Sequence, residues 1–432
     1  MDNREIENKL TSLEGIGEKI AKEIIDIVNL GYSPKLEKLQ KELPQNLKEG
    51  QQQKFLLGLA LPLANEYIKI LNKCTGVKKV EIVGEVRRRK EIVSSIDLLL
   101  ILDRPLEDKI SFIGKFGIPV NIYLSSTEKI GYNKIIHTGS EKHLELLKEL
   151  GLTAREGTEE EVYSSLGLEY IPPYLREGRQ EILLAKERML PKLISIGNIK
   201  GDLHIHTNYS DGLSPMEDLA KEAIRLGYQY IAITDHSQSL KIAKGLTKER
   251  IIKQWKEIDN LQKSLNIRIL KGIEVDILSD GSLDFDDDFL AQFDVVVASV
   301  HSNFKQGKGE MTSRIIKAIQ NPHVDIIGHL TGRLLLKRNP YELDIEEIFQ
   351  VAKNEKIAFE INSSPDRLDL KTEHLWKAKK LGIKIAINTD SHSRIELANI
   401  ILGVGVAQRG YLEEKDIINC WEIEELERYL RG

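Results

Sequence analysis

From Gly201 onward the chain alternates short apolar runs with amphipathic segments, and this regularity restricts the fold more than any other feature of the sequence. Seven runs have the length and composition of strands: GDLHIH, QYIAITD, IRILKGIEV, FDVVVASV, VDIIGH, KIAFEIN and IKIAINTD. Helical patterns such as PMEDLAKEAIRLG and DIEEIFQVAKNEK separate them. Strands that alternate with helices form a parallel sheet, and seven such units favour a closed barrel over an open sheet.

Each predicted strand leads into a residue that can hold a metal ion or offer a polar group. In a parallel barrel the active site lies at the C-terminal ends of the strands, because the loops there converge on one face. The residues at these positions are His204, His206, His236 just after Asp235, Glu274, His301, His329, Glu360, Asn362, Asp390 and His392, with Asp211 in the loop NYSDG. His204 and His206 are two positions apart on one strand, so their side chains share a face and can chelate one ion.

The number of these side chains favours a metal site over structural roles. A single histidine at a strand end is more often a hydrogen-bonded structural residue than a ligand. However, eight of the ten histidines follow residue 200, where 37 Asp and Glu oppose 31 Lys and Arg. Six histidines and several carboxylates on one rim predict a multinuclear metal site. The other histidines, which we expect to be structural or exposed, are His137, His143, His323 and His374.

This ligand set also indicates a chemistry. Sites rich in imidazole and bridged by carboxylates suit Zn²⁺, Mn²⁺ or Fe²⁺ better than Mg²⁺, which prefers oxygen ligands and water. Two such ions can activate a water molecule and hold the attacking and leaving oxygens of a displacement at phosphorus. The sequence therefore predicts a metal-dependent phosphoesterase.

The successive motifs DLHIHTNYSDG, ITDHS, GIEVDI, SVHSNF, GHLTGR and NTDSH resemble those of the polymerase and histidinol phosphatase (PHP) superfamily. The resemblance implies a distorted seven-stranded (β/α) barrel and three divalent metals per chain, Mn²⁺ or Zn²⁺, with Fe²⁺ as a further candidate. It implies that His204, His206, Glu274 and Asp390 hold one ion. It also implies that Glu274 bridges to a second ion held with His301 and His329, and that Asp211, His236 and His392 hold a third.

The motif GHLTGR further resembles a stretch of the PHP domain attached to family X DNA polymerases, although Leu330 stands where proline is usual. The resemblance makes Arg333 a candidate for binding a substrate phosphate through its fork of donors. The alternative for Arg333 is a surface salt bridge. Lys244 and Ser302 are further candidates for the phosphate role.

The first half of the chain carries the same family resemblance. LEGIGEKIAKEI resembles a helix-hairpin-helix, in which the turn containing Gly15 and Gly17 offers backbone N–H groups to a DNA phosphate. The segment VEIVGEVRRRKEIVSSIDLLL resembles a polymerase palm, and GLEYIPPYLREGRQEI resembles the connection into the PHP domain. These segments indicate a family X DNA polymerase with a C-terminal PHP domain.

The palm resemblance fails at the residues that matter for polymerisation. The three positions that should carry carboxylates for two-metal nucleotidyl transfer hold Ser95, Asp97 and Asn121. One carboxylate of three cannot offset the repulsion and dehydration of two divalent ions. Glu85 also stands where a serine usually faces the triphosphate, and a second helix-hairpin-helix is absent before the palm. We therefore expect a truncated polymerase half without polymerase activity.

The basic run Arg87, Arg88 and Arg89 has two readings. Such a run is usually a solvated face. Beside a helix-hairpin-helix it is also a candidate for sequence-independent contacts with the DNA backbone.

The predicted organisation is α/β, in four parts. Residues 1–75 form a helical segment with one helix-hairpin-helix, 76–165 a smaller α+β nucleotidyltransferase-like palm, 166–199 a linker, and 200–432 the PHP barrel. No apolar run approaches the roughly 20 residues that span a bilayer, and the first residues lack a secretory signal. We therefore expect a cytoplasmic protein without a membrane partner. Its oligomeric state is left open.

Four functions remain in competition. The first is a metal-dependent phosphoesterase acting on DNA ends, gaps or abasic sites in DNA repair, by 3′-5′ exonuclease or 3′-end-processing activity. The second is a small-molecule phosphatase of the histidinol-phosphatase type. The third is a DNA-binding scaffold without catalysis, which the complete ligand set disfavours. An active DNA polymerase X is the least favoured alternative, because of the missing palm carboxylates.

Overall fold

The computed structural model describes residues 53–73, 77–102 and 109–430. The chain divides into two compact units, Met1–Leu190 and Pro191–Gly432. The turn containing Gly15 and Gly17, and with it the predicted helix-hairpin-helix, lies outside the described residues. Within the described ranges, no helix combines the length and apolarity needed to cross a membrane.

The first unit contains a mixed sheet and short helices. Its strands are β1 Phe55–Leu56, β2 Val77–Val83, β3 Ile92–Val93, β4 Ile96–Leu102, β5 Lys109–Ile113 and β6 Pro119–Ser126. Its described helices are α1 Leu57–Leu71, α2 Gly84–Arg87, α3 Ile130–Thr138, α4 Glu141–Glu149, α5 Glu159–Ser165 and α6 Glu181–Glu187. This smaller α/β part precedes the barrel, as the sequence predicted.

The main sheet of this unit has the strand order β2-β4-β6-β5. Strand β4 is parallel to β6, whereas the other neighbours are antiparallel. Every residue of β4 is buried, because α1 and α3 pack against it. Strands β2, β4 and β6 coincide with the runs VKKVEIV, IDLLLIL and PVNIYLSS, whose Val, Ile and Leu content is typical of strands. Strand β5 was not predicted, because it is a five-residue edge strand that exposes Lys109 and Ile113 at its ends.

Part of the stretch predicted as an extended linker is folded into the first unit instead. Residues 181–187 form α6, and the boundary between the two units falls after Leu190. Arg176 is fully buried and donates to Glu159 at 2.6 Å. Glu181 is also buried and lies 2.7 Å from Nδ1 of His143. These polar contacts between residues distant in sequence hold the segment against the rest of the first unit.

The second unit alternates strands and helices throughout. Its strands are β7 Gly201–Ile205, β8 Tyr230–Ile233, β9 Arg268–Asp276, β10 Val295–Ser299, β11 Ile326–Ile327, β12 Ala358–Asn362 and β13 Lys384–Asn388. Its described helices are α7 Met216–Arg225, α8 Lys248–Leu261, α9 Asp287–Leu290, α10 Lys308–Ile319, α11 Ile345–Glu355, α12 Thr372–Leu381, α13 Ile400–Arg409 and α14 Ile423–Leu430.

The seven strands of this unit form one parallel sheet in sequential order, from β7 to β13. A parallel bridge between Ile205 and Ser391 joins the two ends of the sheet and almost closes the barrel. The interior is filled by apolar side chains that are fully buried, including Leu203, Tyr230 and Val297. The seven predicted strands and the distorted seven-stranded barrel are confirmed. The C-terminal ends of the strands consequently meet at one rim.

Candidate metal centre

All nine predicted ligands converge on this rim, and the Glu274 carboxylate lies between two groups of imidazoles. Its Oε2 is 3.4 Å from Nε2 of His204 and 3.5 Å from Nε2 of His206. Its Oε1 is 3.3 Å from Nε2 of His301 and 3.1 Å from Nε2 of His329. Strand β9 places this carboxylate near the middle of the sheet, so Glu274 can reach both groups.

Asp390 lies beside the first of these groups. Its Oδ1 is 3.0 Å from Nε2 of His206 and 3.6 Å from Nε2 of His204. The Asp390 backbone is left-handed, with φ 51°. A non-glycine residue with this conformation is uncommon and concentrates at functional sites, where the surrounding structure enforces it.

A further group lies at the more open edge of the rim. Oδ1 of Asp211 is 3.6 Å from Nε2 of His236 and 3.4 Å from Nε2 of His392. The Asp211 and His392 side chains are each 33% exposed, whereas Glu274 is 1% exposed. The site therefore opens to solvent on the side of these two residues.

The imidazole nitrogens and carboxylate oxygens of these residues are arranged to bind metal ions rather than to hydrogen-bond with one another. Nε2 of His204, both ring nitrogens of His206 and Oε2 of Glu274 are buried without a hydrogen-bond partner. Nδ1 of His236 is 2.8 Å from Oε2 of Glu274, yet neither atom has a hydrogen bond. Buried polar atoms normally have partners. Unpartnered lone pairs at one site instead fit divalent cations. Three overlapping residue groups could each hold an ion, and within each group the ligand atoms lie within 4.8 Å of one another.

A second layer of carboxylates orients the imidazoles. Oε1 of Glu360 is 2.7 Å from Nδ1 of His204, and Oδ1 of Asp276 is 2.5 Å from Nδ1 of His301. A carboxylate at one ring nitrogen fixes the tautomer and points the other nitrogen at the metal position. The sequence analysis identified Glu360 only as a polar residue at a strand end. Its carboxylate contacts the His204 ring and fixes the orientation of that ring.

The carboxylates at the centre are held in their ionised form. Burial alone would raise the pKa of Glu274, but the imidazoles of His301, His204 and His236 lower it well below the usual range. The pKa of Asp390 is likewise well below its usual value, because the nearby imidazoles, led by His204, outweigh the effect of burial. Anionic oxygen ligands are consequently available at neutral pH.

The candidate phosphate-binding residues differ in their surroundings. Arg333 is 7% exposed, and its guanidinium donates to the backbone carbonyls of Arg367, at 2.9 Å, and Leu368. This side chain is mostly buried, and the choice between a salt bridge and a phosphate contact for Arg333 stays a prediction. Lys244 and Ser302 are exposed in the loops after β8 and β10. A phosphate role for the three residues stays a prediction.

Two residues at the rim were missed by the sequence analysis. Asp276 could have been found, because it is two positions from Glu274 on β9 and so shares its face. Arg367 could not, since it lies in an irregular loop after β12. Its Nε is 3.5 Å from Oδ2 of Asp390.

The three residues at the positions that the palm resemblance assigns to the polymerase carboxylates also come together. Nδ2 of Asn121 donates to Oδ1 of Asp97 at 2.6 Å, and Oγ of Ser95 is 3.0 Å from Oδ2 of Asp97. Burial raises the pKa of Asp97. Ser111 completes the network by donating to Oδ1 of Asn121 at 2.8 Å. The single carboxylate is therefore surrounded by neutral hydrogen-bonding groups.

The arginine run, interpreted from sequence either as a solvated face or as a DNA-backbone contact, is largely packed against other residues of the first unit. Arg87 donates to both oxygens of Glu159, at 2.9 and 2.5 Å, and Nε of Arg88 donates to Glu177 at 2.9 Å. Arg89 is half-buried. The acidic partners are 72 and 89 residues away in sequence, so the local charge pattern could not show them. The contacts observed for Arg87 and Arg88 are structural, and a DNA contact by the run stays a prediction.

Comparison with known proteins matches a PHP domain to residues 202–364. The chain is 37% identical to the DNA polymerase/3′-5′ exonuclease PolX of Bacillus subtilis, over 98% of this chain and 78% of that protein. It is 32% identical to a protein of Thermoanaerobacter named "Probable phosphatase", over 53% of this chain and 94% of that protein. Among solved structures, the histidinol phosphate phosphatase of Lactococcus lactis is 21% identical, with a TM-score of 0.35, over 48% of this chain and 94% of that one.

The family assignment follows from the match to PolX, which extends over nearly the whole chain and includes both units. The PHP domain and the hydrolytic relatives identify a hydrolase that binds divalent metal ions. The chain belongs to the family of X-type DNA polymerases that carry a PHP domain.

Proposed function

We propose that this protein is a metal-dependent phosphoesterase that processes 3′ ends of DNA during repair, as a 3′-5′ exonuclease or end-cleaning enzyme, with abasic-site cleavage as a further activity. The observation that carries the proposal is the convergence on one rim of six histidines and three carboxylates, Glu274 among them, with buried lone pairs that have no hydrogen-bond partner. The PolX relative supports DNA as the substrate.

Three divalent ions fit the ligand groups, with Mn²⁺ or Zn²⁺ preferred and Fe²⁺ as a further candidate. His204, His206, Glu274 and Asp390 would hold the first, Glu274 with His301 and His329 the second, and Asp211, His236 and His392 the third. When bound, such ions supply a water nucleophile and neutralise charge that develops on the phosphate.

The residues of the chain perform the remaining tasks. Glu360 and Asp276 hold His204 and His301 in a fixed orientation through their Nδ1 atoms. The apolar interior beneath the rim, which includes Leu203 and Val297, keeps bulk water from the inner ligands. A phosphate that enters past Asp211 and His392 would meet the reaction centre at its exposed edge.

We infer that the polymerase half has lost nucleotidyl transfer. Asp97 supplies one carboxylate at the palm position, and the amide of Asn121 and the hydroxyl of Ser95 surround it with neutral groups. All groups in the described part of the chain that could hold a metal lie in the second unit. This half would instead hold the substrate, with Gly15 and Gly17 as the predicted phosphate-binding turn.

The test uses the full chain with a 3′-labelled recessed DNA duplex. We expect release of 3′ nucleotides with Mn²⁺ and none with a chelator. Incorporation of deoxynucleotides should be absent under either condition. A protein that binds the duplex but leaves the label intact at every metal tested would contradict the proposal.

A small-molecule phosphatase is a second candidate, since the "Probable phosphatase" of Thermoanaerobacter is matched over 94% of its length by 53% of this chain. Hydrolysis of histidinol phosphate and of the recessed duplex should be compared in the same Mn²⁺ buffer. A higher kcat/KM for the duplex supports DNA processing, and a higher value for histidinol phosphate supports the alternative.

A further inference from the structure

Three neighbouring loops at the open edge of the metal centre each expose a large apolar side chain. Leu213 follows β7 and is 67% exposed, Ile242 follows β8 and is 92% exposed, and Ile395 follows β13 and is 51% exposed. Single exposed apolar residues are common on protein surfaces. Three on adjacent loops beside one reaction centre form an apolar rim, defined here as Leu213, Ile242 and Ile395.

Hydrogen bonds connect the loops that carry the apolar rim. The backbone N–H of Leu213 donates to the carbonyl of His392 at 2.6 Å, and that of Arg394 donates to Oγ of Ser214 at 3.1 Å. These bonds place the backbones of Leu213 and Ile395 beside each other. The same two loops carry Asp211 and His392, the most exposed of the nine predicted ligands. The rim therefore borders the entrance to the site.

The loop after β8 is joined to the loop after β7 by Arg250. Its guanidinium donates to the carbonyl of Lys244 at 2.7 Å and to the carbonyl of Tyr209. Ile242 thus lies on a loop connected to the one that carries Leu213. Exposed cations flank the three apolar residues, namely Lys241, Lys244 and Arg394.

We propose that the apolar rim binds the terminal nucleoside of a strand while the 5′ phosphate of that same nucleoside occupies the metal centre. A nucleoside offers an apolar base face, which packs on aliphatic or aromatic side chains with little dependence on sequence. Its strand continues through anionic phosphates, which suit flanking Lys and Arg side chains. A compact phosphate ester without a base would leave the rim exposed to water. This inference rests on the proposed phosphoesterase function and specifies the part of the substrate that the entrance recognises.

The test compares two diesters with the same leaving group, thymidine 5′-(p-nitrophenyl phosphate) and methyl p-nitrophenyl phosphate, in Mn²⁺. The ratio of their kcat/KM values measures the preference for a nucleoside. We expect Leu213→Ser and Ile395→Ser each to lower this ratio about fivefold, because each removes part of an apolar contact. Ile242→Ser should act in the same direction.

The matched control is Ile224→Ser. Ile224 is 38% exposed near the C-terminal end of α7, which leads into the N-terminal end of β8, away from the rim. Its substitution should leave the ratio within twofold of the wild-type value. If both Leu213→Ser and Ile395→Ser keep ratios within twofold of wild type, the inference about the apolar rim is overturned, but the proposed function is not. Hydrolysis of neither diester by the wild-type protein would overturn the proposed function as well.

Discussion

Oε1 of Glu360 lies 2.7 Å from Nδ1 of His204, and both side chains are fully buried. Glu360 also accepts from the backbone N–H of His329 at 2.8 Å, so one carboxylate supports residues on both sides of Glu274. The contact explains how a strand-end carboxylate that is not a predicted ligand can control the metal centre.

Replacing this carboxylate should weaken metal binding without removing a ligand. In Glu360→Gln the neutral amide supports the His204 tautomer less well, and we expect metal affinity to fall about 10- to 100-fold. Calorimetric titration with Mn²⁺ measures the change, and excess Mn²⁺ should restore hydrolysis. Glu346→Gln, at an exposed position on α11, is the control. An unchanged affinity in Glu360→Gln would contradict the positioning role.

Loss of the central carboxylate should abolish catalysis. Glu274 contacts imidazoles through both oxygens, so Glu274→Gln removes the proposed bridge between two ions. We expect hydrolysis of labelled DNA to fall by at least about 1000-fold. Circular dichroism should show a retained fold, because the amide has the same shape. Hydrolysis near the wild-type rate would exclude Glu274 as the bridging ligand.

The palm carboxylate should be irrelevant to metal content. Asp97→Asn changes the single carboxylate of the proposed degenerate polymerase site, and its hydrogen-bond partners Ser95 and Asn121 are neutral. Elemental analysis should find the same number of ions per chain as in the wild-type protein. The corresponding analysis of Glu274→Gln should find fewer. A lower metal content in Asp97→Asn would show that the palm still binds an ion.

The buried ion pairs of Glu159 should contribute strongly to the stability of the first unit. Glu159 is 4% exposed and contacts both Arg87 and Arg176. Removing its charge leaves two buried guanidinium groups without an anion, and we expect Glu159→Gln to cost about 3 kcal/mol in free energy of unfolding. Lys79→Ala, which removes a 62% exposed lysine side chain from its ion pair with Glu81, should cost at most about 1 kcal/mol. Denaturant-dependent hydrogen exchange of α5 measures both.

The same residue should make the first unit sensitive to acid. Burial alone would raise the pKa of Glu159, but Arg176 and Arg87 outweigh it and lower the pKa to about 2. Because the folded pKa lies below the unfolded value of about 4.3, this stabilisation is present above pH 4.3 and is lost as the pH falls toward 2. Hydrogen exchange of α5 across this range should show the loss, and Glu159→Gln should show a smaller dependence.

Much of the barrel and its centre could be predicted because the relevant signals are local. A short apolar run bounded by helical patterns is visible in sequence, and the end of a parallel strand has a known position in a barrel. Asp276 was equally accessible, since it shares the face of Glu274 on β9. The sequence did not reveal the helix at residues 181–187 or the partners of Arg87, because both depend on contacts between residues tens of positions apart.

The sequence by itself determined the seven alternating strands and helices of the barrel and the polar side chains that follow each strand, because each is a matter of residue type at a position in a periodic pattern. The tertiary structure alone decided which nitrogen of His204 faces Glu274, that Glu360 holds the other, and that Arg333 and Arg87 are directed into the protein. Side-chain direction depends on partners that folding brings together from distant parts of the chain, and local patterns carry no record of them.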